Sequence, residues 1–348
     1  MVKEYSYIKR MLLRELSENS RTSVTALAEK LKCSRNTVLN NIKALEREFG
    51  LYYTLDPNLS KMGILQNHVW NVKFGVKPDT ETLKEIFKDD SFIQFAVETD
   101  GDFDMVLKVI TTSGEEYVSW GLDTAMKLLD YRPVIRPSLI SMIHTGFVPV
   151  PNSVIEKIGA EKLGLDALDV RMLLLLNEDS TMTYNAMAKR LKVDVETIRY
   201  RFRRILDSGI IDKFTVLATK VPSIYNVAFF VNYEFAPGFK ERYSKVQEFY
   251  LGVDGQRPLL NSFQYLALTS GSYTLFGLGS FTDDEKAIKN AVVMHKLMYK
   301  EDNAQVRYAK VTNEIRGHLP IRNIDMARHF KGISWEVPKN TKKGHDRI

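Results

Sequence analysis

A chain of 348 residues is longer than one compact core usually supports, so two or more domains are expected. Its 44% apolar and 26% charged residues exclude a disordered chain, and a net charge of +6 admits a polyanionic partner without requiring one. The single cysteine, Cys33, excludes an intramolecular disulfide and a thiolate metal site, and fits a reducing cytoplasm.

The first residues are charged throughout, so no secretory signal is expected, and no apolar run reaches the ~18 residues of a membrane span. Tyr7, Ile8, Met11, Leu12 and Leu16 recur at the spacing of one helix face. Thr22 or Ser23 is placed to cap a short second helix carrying Val24, Leu27, Ala28 and Leu31. Lys32-Cys33 makes a turn, with Cys33 as a small apolar filler opposite Val193 of the later copy. Ser34 caps a third helix with Val38, Ile42 and Leu45 inward, Gly50 ends it, and Leu51 to Leu55 suits a wing.

The same pattern returns 160 residues later without a gap: Leu16 to Leu51 aligns with Leu176 to Ile211. Eight positions are identical: Leu16/Leu176, Glu18/Glu178, Ser20/Ser180, Ala26/Ala186, Ala28/Ala188, Leu31/Leu191, Lys32/Lys192 and Thr37/Thr197. In the second copy Val170, Leu173 and Leu176 line the first helix, and Thr183 caps a helix with Ala186, Met187 and Leu191. Asp194 caps the third, with Ile198, Phe202 and Ile205 inward; Gly209 ends it and Phe214 to Leu217 is the matching wing. The unit reads as a helix-turn-helix, and two in one chain suggest a covalent pseudo-dimer gripping two DNA half-sites.

A looser repeat, β-α-β-β-α-β, comes after each unit. The first set is Val69–Val76, Asp79–Lys88 (helix), Phe92–Thr99, Phe103–Thr111, Glu115–Leu129 (helix) and Pro133–Ser141. The second is Val227–Phe235, Lys240–Leu251 (helix), Ser262–Thr269, Tyr273–Phe281, Asp283–Leu297 (helix) and Val306–Ile315. This order is that of a ferredoxin-like sheet, with tight turns at Gly101-Asp102 and Gly271-Ser272. The expected fold class is α+β: two tandem copies of a winged helix-turn-helix followed by a ferredoxin-like module. The boundaries are 1–60 and 61–147 for the first pair, 148–220 (linker and second helix-turn-helix) and 221–322 for the second, then a basic tail over 323–348. Prolines in Val148-Pro149-Val150-Pro151-Asn152-Ser153 predict a semi-rigid spacer. Residues 328–348 carry six Lys/Arg against two acids.

At 100° per residue, Tyr200, Arg203, Arg204 and Glu196 face away from the second core, with Thr197, Arg199 and Arg201 beside them. Four arginines with only Glu196 and Asp207 near in sequence predict an anion facing them, and the guanidinium fork suits phosphate and guanine. The first copy presents Asn36, Asn40 and Lys43, with Ser34, Arg35, Thr37 and Asn41 at the margins; asparagine pairs bidentately with adenine. The two surfaces differ, so an asymmetric operator is expected.

No catalytic constellation stands out, and none of His68, His144, His295, His318, His329 and His345 has the spacing of a helical zinc pair. Asp100, Asp102 and Asp104 lack the Gly and distal Glu of a calcium loop, and the GLGSFT segment lacks the context of a phosphate loop. Neither metal, cofactor nor enzymatic activity is expected.

The architecture and two motifs, ALAEKLKCSRNTV/AMAKRLKVDVETI and the Gly-x-aromatic-Asp turn at Gly101, Phe103 and Asp104, resemble the leucine-responsive/asparagine-synthesis regulator (Lrp/AsnC) family of prokaryotic transcription factors. Fused copies are reminiscent of archaeal relatives. The resemblance implies DNA binding by both third helices, sheets paired face to face, self-association through the sheet modules, and a small effector such as an amino acid. Gly101, Asp104, Gly271 and Tyr273 would hold that effector, although Thr274 replaces the acid in the second copy. Two other readings share the plan: an enzyme similar to the sirohaem decarboxylases, with His295 and Arg307 facing a tetrapyrrole, and an adaptor that meets the transcription machinery.

Overall fold

The computed structural model describes residues 7–64, 66–145, 150–161, 165–218, 225–232, 263–281 and 305–317. The first unit consists of α1 (Tyr7–Glu18), α2 (Val24–Lys30), α3 (Arg35–Phe49) and β1 (Leu51–Pro57). Ser23 and Ser34 are the caps: their hydroxyls accept from the Ala26 and Thr37 amides. Lys32, between the helices, and Gly50, after α3, are both left-handed, at φ 51° and 56°. Leu12, Leu16, Leu27, Val38, Leu45 and Phe49 form the core, with half-buried Cys33 packed against it.

The first sheet module continues the chain as β2 (Gln66–Phe74), α4 (Thr80–Phe87), β3 (Ile93–Gly101), β4 (Met105–Thr111), α5 (Gly114–Lys127) and β5 (Pro133–Thr145). Its outer face packs beneath the helices through Trp70, Val72, Phe74, Leu83, Phe87 and Trp120.

The expected spacer is in part a docked element. Val150 is buried, and α6 (Asn152–Glu161) inserts Val154 and Ile155 into the second unit's core. Asn177 donates to the Val150 carbonyl (3.1 Å) and to Asn152 Oδ1 (2.9 Å). Pro151 is tolerated at the helix start because the first turn needs no N–H partner, and Val154 and Ile155 give the helix an apolar face. The second unit comprises α7 (Ala167–Glu178), α8 (Tyr184–Leu191), α9 (Val195–Ser208) and β6 (Ile211–Ala218). Thr183 and Asp194 cap as expected, Lys192 repeats the left-handed turn (φ 58°), and Gly209 closes α9 (φ 66°).

The two wing strands are not separate. β1 and β6 pair antiparallel, Thr54 opposite Thr215. Each strand serves the other unit: Thr54 donates to the Asn177 carbonyl (2.9 Å) and Thr215 to the Ser17 carbonyl (2.8 Å). Leu55 is buried in the second core and Val216 in the first. Ser20 and Ser180, identical in the repeat, share a hydrogen bond at 2.7 Å. Exchange gives both strands a partner for their backbone groups, which a lone wing lacks.

The remaining strands are β7 (Tyr225–Asn232), β8 (Phe263–Gly271), β9 (Leu275–Phe281) and β10 (Gln305–Gly317). The helices expected at 240–251 and 283–297, and the tail at 323–348, lie outside the described residues. The sheets meet face to face, but they also join at their edges, which the resemblance did not imply. The result is one closed barrel in the order β10-β3-β4-β2-β5-β8-β9-β7. β5 and β10, 13 residues each, make both seams. The first half of β5 pairs with β2 and its second half with β8; β10 divides likewise between β7 and β3. Closure leaves no edge unpaired.

Candidate nucleic-acid interface

On α3, Arg35, Asn36, Asn40 and Lys43 are exposed, and no ion pair joins Arg35 or Lys43 among the described residues. Ser34 and Thr37 are bonded to each other (2.9 Å), and Asn41 donates back to the Thr37 carbonyl at 2.8 Å. The presented surface is therefore Arg35, Asn36, Asn40 and Lys43, with the other three residues shaping the helix start.

On α9 the four arginines separate into two kinds. Arg201 is half-buried and pairs with Asp166 and, at 3.2 Å, with Asp169. Arg204 pairs with Asp169 and lies 3.7 Å from Asp166. Asp169 is fully buried, and hydrogen bonding by Arg201 is the leading cause that holds the Asp166 carboxyl below its usual range. Both acids also form the capping box at the start of α7. Arg201 and Arg204 thus have compensating acids that the sequence reading, limited to neighbours along α9, did not find. The capping pattern Asp166-x-x-Asp169 was visible, but not its position beside α9. Arg199 meets Glu196 at 2.8 Å, Thr197 bonds its cap Asp194 at 2.6 Å, Tyr200 is 70% exposed, and Arg203 is exposed without an ion pair among the described residues.

The relative position of the two helices is set partly by Arg21. Its guanidinium donates to the Ser180 and Met182 carbonyls. It also stands 4.9 Å from the Phe202 ring, 5.4 Å from Phe214 and 5.7 Å from Tyr184. Phe202 is an inward residue of α9, so Arg21 ties the first unit to the inner side of α9. The position equivalent to Arg21 is Thr181, so this tie is made once.

Of the four residues expected to hold an effector, three lie at the barrel seams. Gly101 (φ 144°) lies against β10, where a Cβ would come within 2.7 Å of the Tyr308 carbonyl. Gly271 (φ 115°) lies against β5, 3.1 Å from the Pro137 carbonyl on the same test. Asp104 is buried and accepts from the Phe74 amide and Lys73, both at 2.8 Å. Tyr273 is buried with its amide donating to Ser138 (3.1 Å). Gly101 stands at the seam with β10, Gly271 and Tyr273 at the seam with β5, and Asp104 bonds β2 within the first module.

Among the described residues no three His, Cys, Asp or Glu are grouped to hold a metal, and no helix is long and apolar enough to cross a membrane. His68 is buried and stacked on Tyr117 at 3.6 Å, and burial pushes its imidazole down to about 4. Arg307 is half-buried on β10, while His295, His318, His329 and His345 lie outside the described residues. A groove of 570 Å³ is lined by Asp89, Asp90, Glu115, Glu116 and Asp123 against Lys127 and Lys157, a net negative lining and the wrong sign for a polyanion.

Residues 6–48 match winged helix-turn-helix DNA-binding domains, and residues 165–205 match the AsnC-type helix-turn-helix domain. A helix-turn-helix-type transcriptional regulator of Pyrococcus abyssi is 32% identical over 34% of this chain and 68% of its own length. One from Pyrococcus furiosus is 30% identical over 32% and 69%. The siroheme decarboxylase NirDL shares the fold over 93% of this chain and 97% of its own, with a TM-score of 0.59 and 11% identity. With an AsnC-type domain, a second helix-turn-helix and regulators that match over two thirds of their length, the chain belongs to the Lrp/AsnC-type helix-turn-helix transcriptional regulators.

Proposed function

We propose that the chain is a sequence-specific regulator of double-stranded DNA in which two units of one polypeptide take the place of a dimer. One observation carries this reading. The outward faces of α3 and α9 hold exposed Arg35, Asn36, Asn40, Lys43, Tyr200 and Arg203, while the exchanged strands and Arg21 hold the two units together behind them. Arg199, Arg203 and Lys43 supply phosphate contacts, Asn36, Asn40 and Tyr200 approach base edges, and Arg201 and Arg204 brace α9. Because the faces differ, the operator is asymmetric.

Each half is a ferredoxin-like module on this reading. The order β2-α4-β3-β4-α5-β5, the sheet order β3-β4-β2-β5 and its repeat as β8-β9-β7-β10 support it. Self-association through the modules, in the cytoplasm, completes the reading. Leu122 and Met126 on α5, 64% and 67% exposed, are an apolar stripe suited to a second copy.

The test is binding of labelled genomic duplex fragments across a salt series. Losing two phosphate contacts in Arg199→Ala/Arg203→Ala flattens the log–log slope by roughly 0.9 for each. Arg201→Ala/Arg204→Ala should leave the slope nearly unchanged. A wild-type slope in the first variant overturns the assignment of α9. The full-length likeness to a siroheme decarboxylase favours a second reading, a tetrapyrrole enzyme. Absence of duplex binding at about 50 mM salt, with tetrapyrrole absorbance in the purified protein, would select it.

A further inference from the structure

The barrel interior holds polar groups that its strands do not satisfy. Alternation along β2 sends His68 and Trp70 outward onto Tyr117, and Asn67, Val69 and Asn71 inward. On β4, Lys108 lies opposite Val69, so Asn67 and Asn71 are its two diagonal neighbours, at roughly 7–8 Å between backbones. Tyr265 of β8 comes from the other module; its ring centroid is 5.9 Å from Lys108 Nζ. Lys108 and Tyr265 are fully buried, and Asn67 and Asn71 are at least nine-tenths buried.

Lys108 reaches the Gln94 side chain, but no carboxylate pairs with it among the described residues. The Tyr265 hydroxyl, both amide atoms of Asn71 and Asn67 Oδ1 have no hydrogen-bond partner there. Buried polar groups are ordinarily satisfied, and a buried ammonium ordinarily faces an anion. Burial alone pushes the Lys108 amine down to about 7. Phe95, Val97, Val106, Ile140 and Phe276 give the lining a large apolar share, interrupted by buried Thr99, Ser138 and Thr269, with Ala228, Ala267 and Ala309 leaving part of the wall low.

We propose that the barrel interior binds a small 2-hydroxy monocarboxylic acid with an apolar side chain. Its carboxylate accepts from the Lys108 ammonium and the Tyr265 hydroxyl, and its hydroxyl donates to an asparagine Oδ1. Lys108 is the one fully buried cation among the described inward side chains and matches one carboxylate, while Arg136, opposite Asn71, and Arg307, opposite Phe230, share the inner face half-buried. The other polar inward positions that register identifies beside Lys108 and Tyr265 are Asn67, Asn71, Thr99, Ser138 and Thr269, with no acid among the described ones to receive an α-ammonium, which disfavours the corresponding amino acid. A 2-oxo acid can accept from Asn71 Nδ2 but leaves both asparagine oxygens without a proton, which only the hydroxyl supplies. The site uses both modules and is independent of the DNA reading.

The experiment is isothermal titration of the full chain with branched 2-hydroxy, 2-oxo and 2-amino acids of one carbon skeleton, together with Lys108→Met and Tyr265→Phe. The hydroxy acid should bind tightest of the three. Lys108→Met should weaken it by about 10- to 100-fold, the worth of a charge-assisted hydrogen bond, and Tyr265→Phe by about threefold to tenfold. Lys108→Met is close in size and removes a buried charge, so it should melt no lower than the wild type. If it melts lower, Lys108→Gln replaces it, with the same loss expected. No binding by the hydroxy acid, unchanged binding in the lysine variants, or an order led by the amino or oxo acid overturns the proposal.

Discussion

The two helix-turn-helix units share caps, turn and core positions, yet they hold their third helices differently. In the first, α1 and α3 meet through apolar side chains and a half-buried Lys9–Glu48 pair at 3.2 Å. In the second, α7 places Asp166 and buried Asp169 against Arg201 and Arg204. A helix can therefore carry more positive charge than its surface uses. The same arginine run contains residues that support the helix and residues that face outward, and only the position of α7 tells them apart.

The largest expected effect tests that difference. Asp169→Ala leaves two arginines without their buried partner and removes half of a capping box. It should lower stability by about 3 kcal/mol in denaturant unfolding, whereas Glu48→Ala in the first unit should cost below about 1 kcal/mol. Equal losses would mean that the units are braced alike. Next, Arg21→Ala removes two charge-assisted hydrogen bonds and the contact with three rings. It should cost about 2 kcal/mol and broaden the half-site spacings tolerated by selected duplexes. Thr181→Arg at the equivalent position should restore neither.

A pH series sharpens the comparison at the exchanged strands. Burial is the main cause raising the Asp56 carboxyl to about 7, with Lys213 opposing it. An unfolded aspartate ionises near ~4, so between about pH 4 and 7 the folded state binds the extra proton and stability falls as pH rises. Asp56→Asn should flatten that fall, measured as melting temperature against pH. The smallest effect is Cys33→Val, which writes the second unit's turn residue, Val193, into the first. A change within about 0.5 kcal/mol is expected, and a larger one would show that the cores around the turns are not interchangeable.

Much of this molecule is written in local signals. Ser34, Thr183 and Asp194 cap helices because a side-chain oxygen one residue before a helix reaches the first free amides, whatever the rest of the chain does. Gly50 and Gly209 end their helices because a left-handed residue closes them. Alternation marked the described strands to within a few residues, and a repeat of 160 residues marked the duplication. Which strand pairs with which is not local. β1 meets β6 and β5 meets β8 because long-range backbone groups find partners and edges close, and no periodicity specifies the partner. The same holds for charge: Asp169 on α7 reaches Arg204 on α9, and Lys108 meets Tyr265 across the barrel. Residue types and helix faces were decided by the sequence through short-range geometry. The partner of each strand, arginine and buried lysine was decided by the tertiary structure, because proximity between distant segments exists only once the barrel has closed.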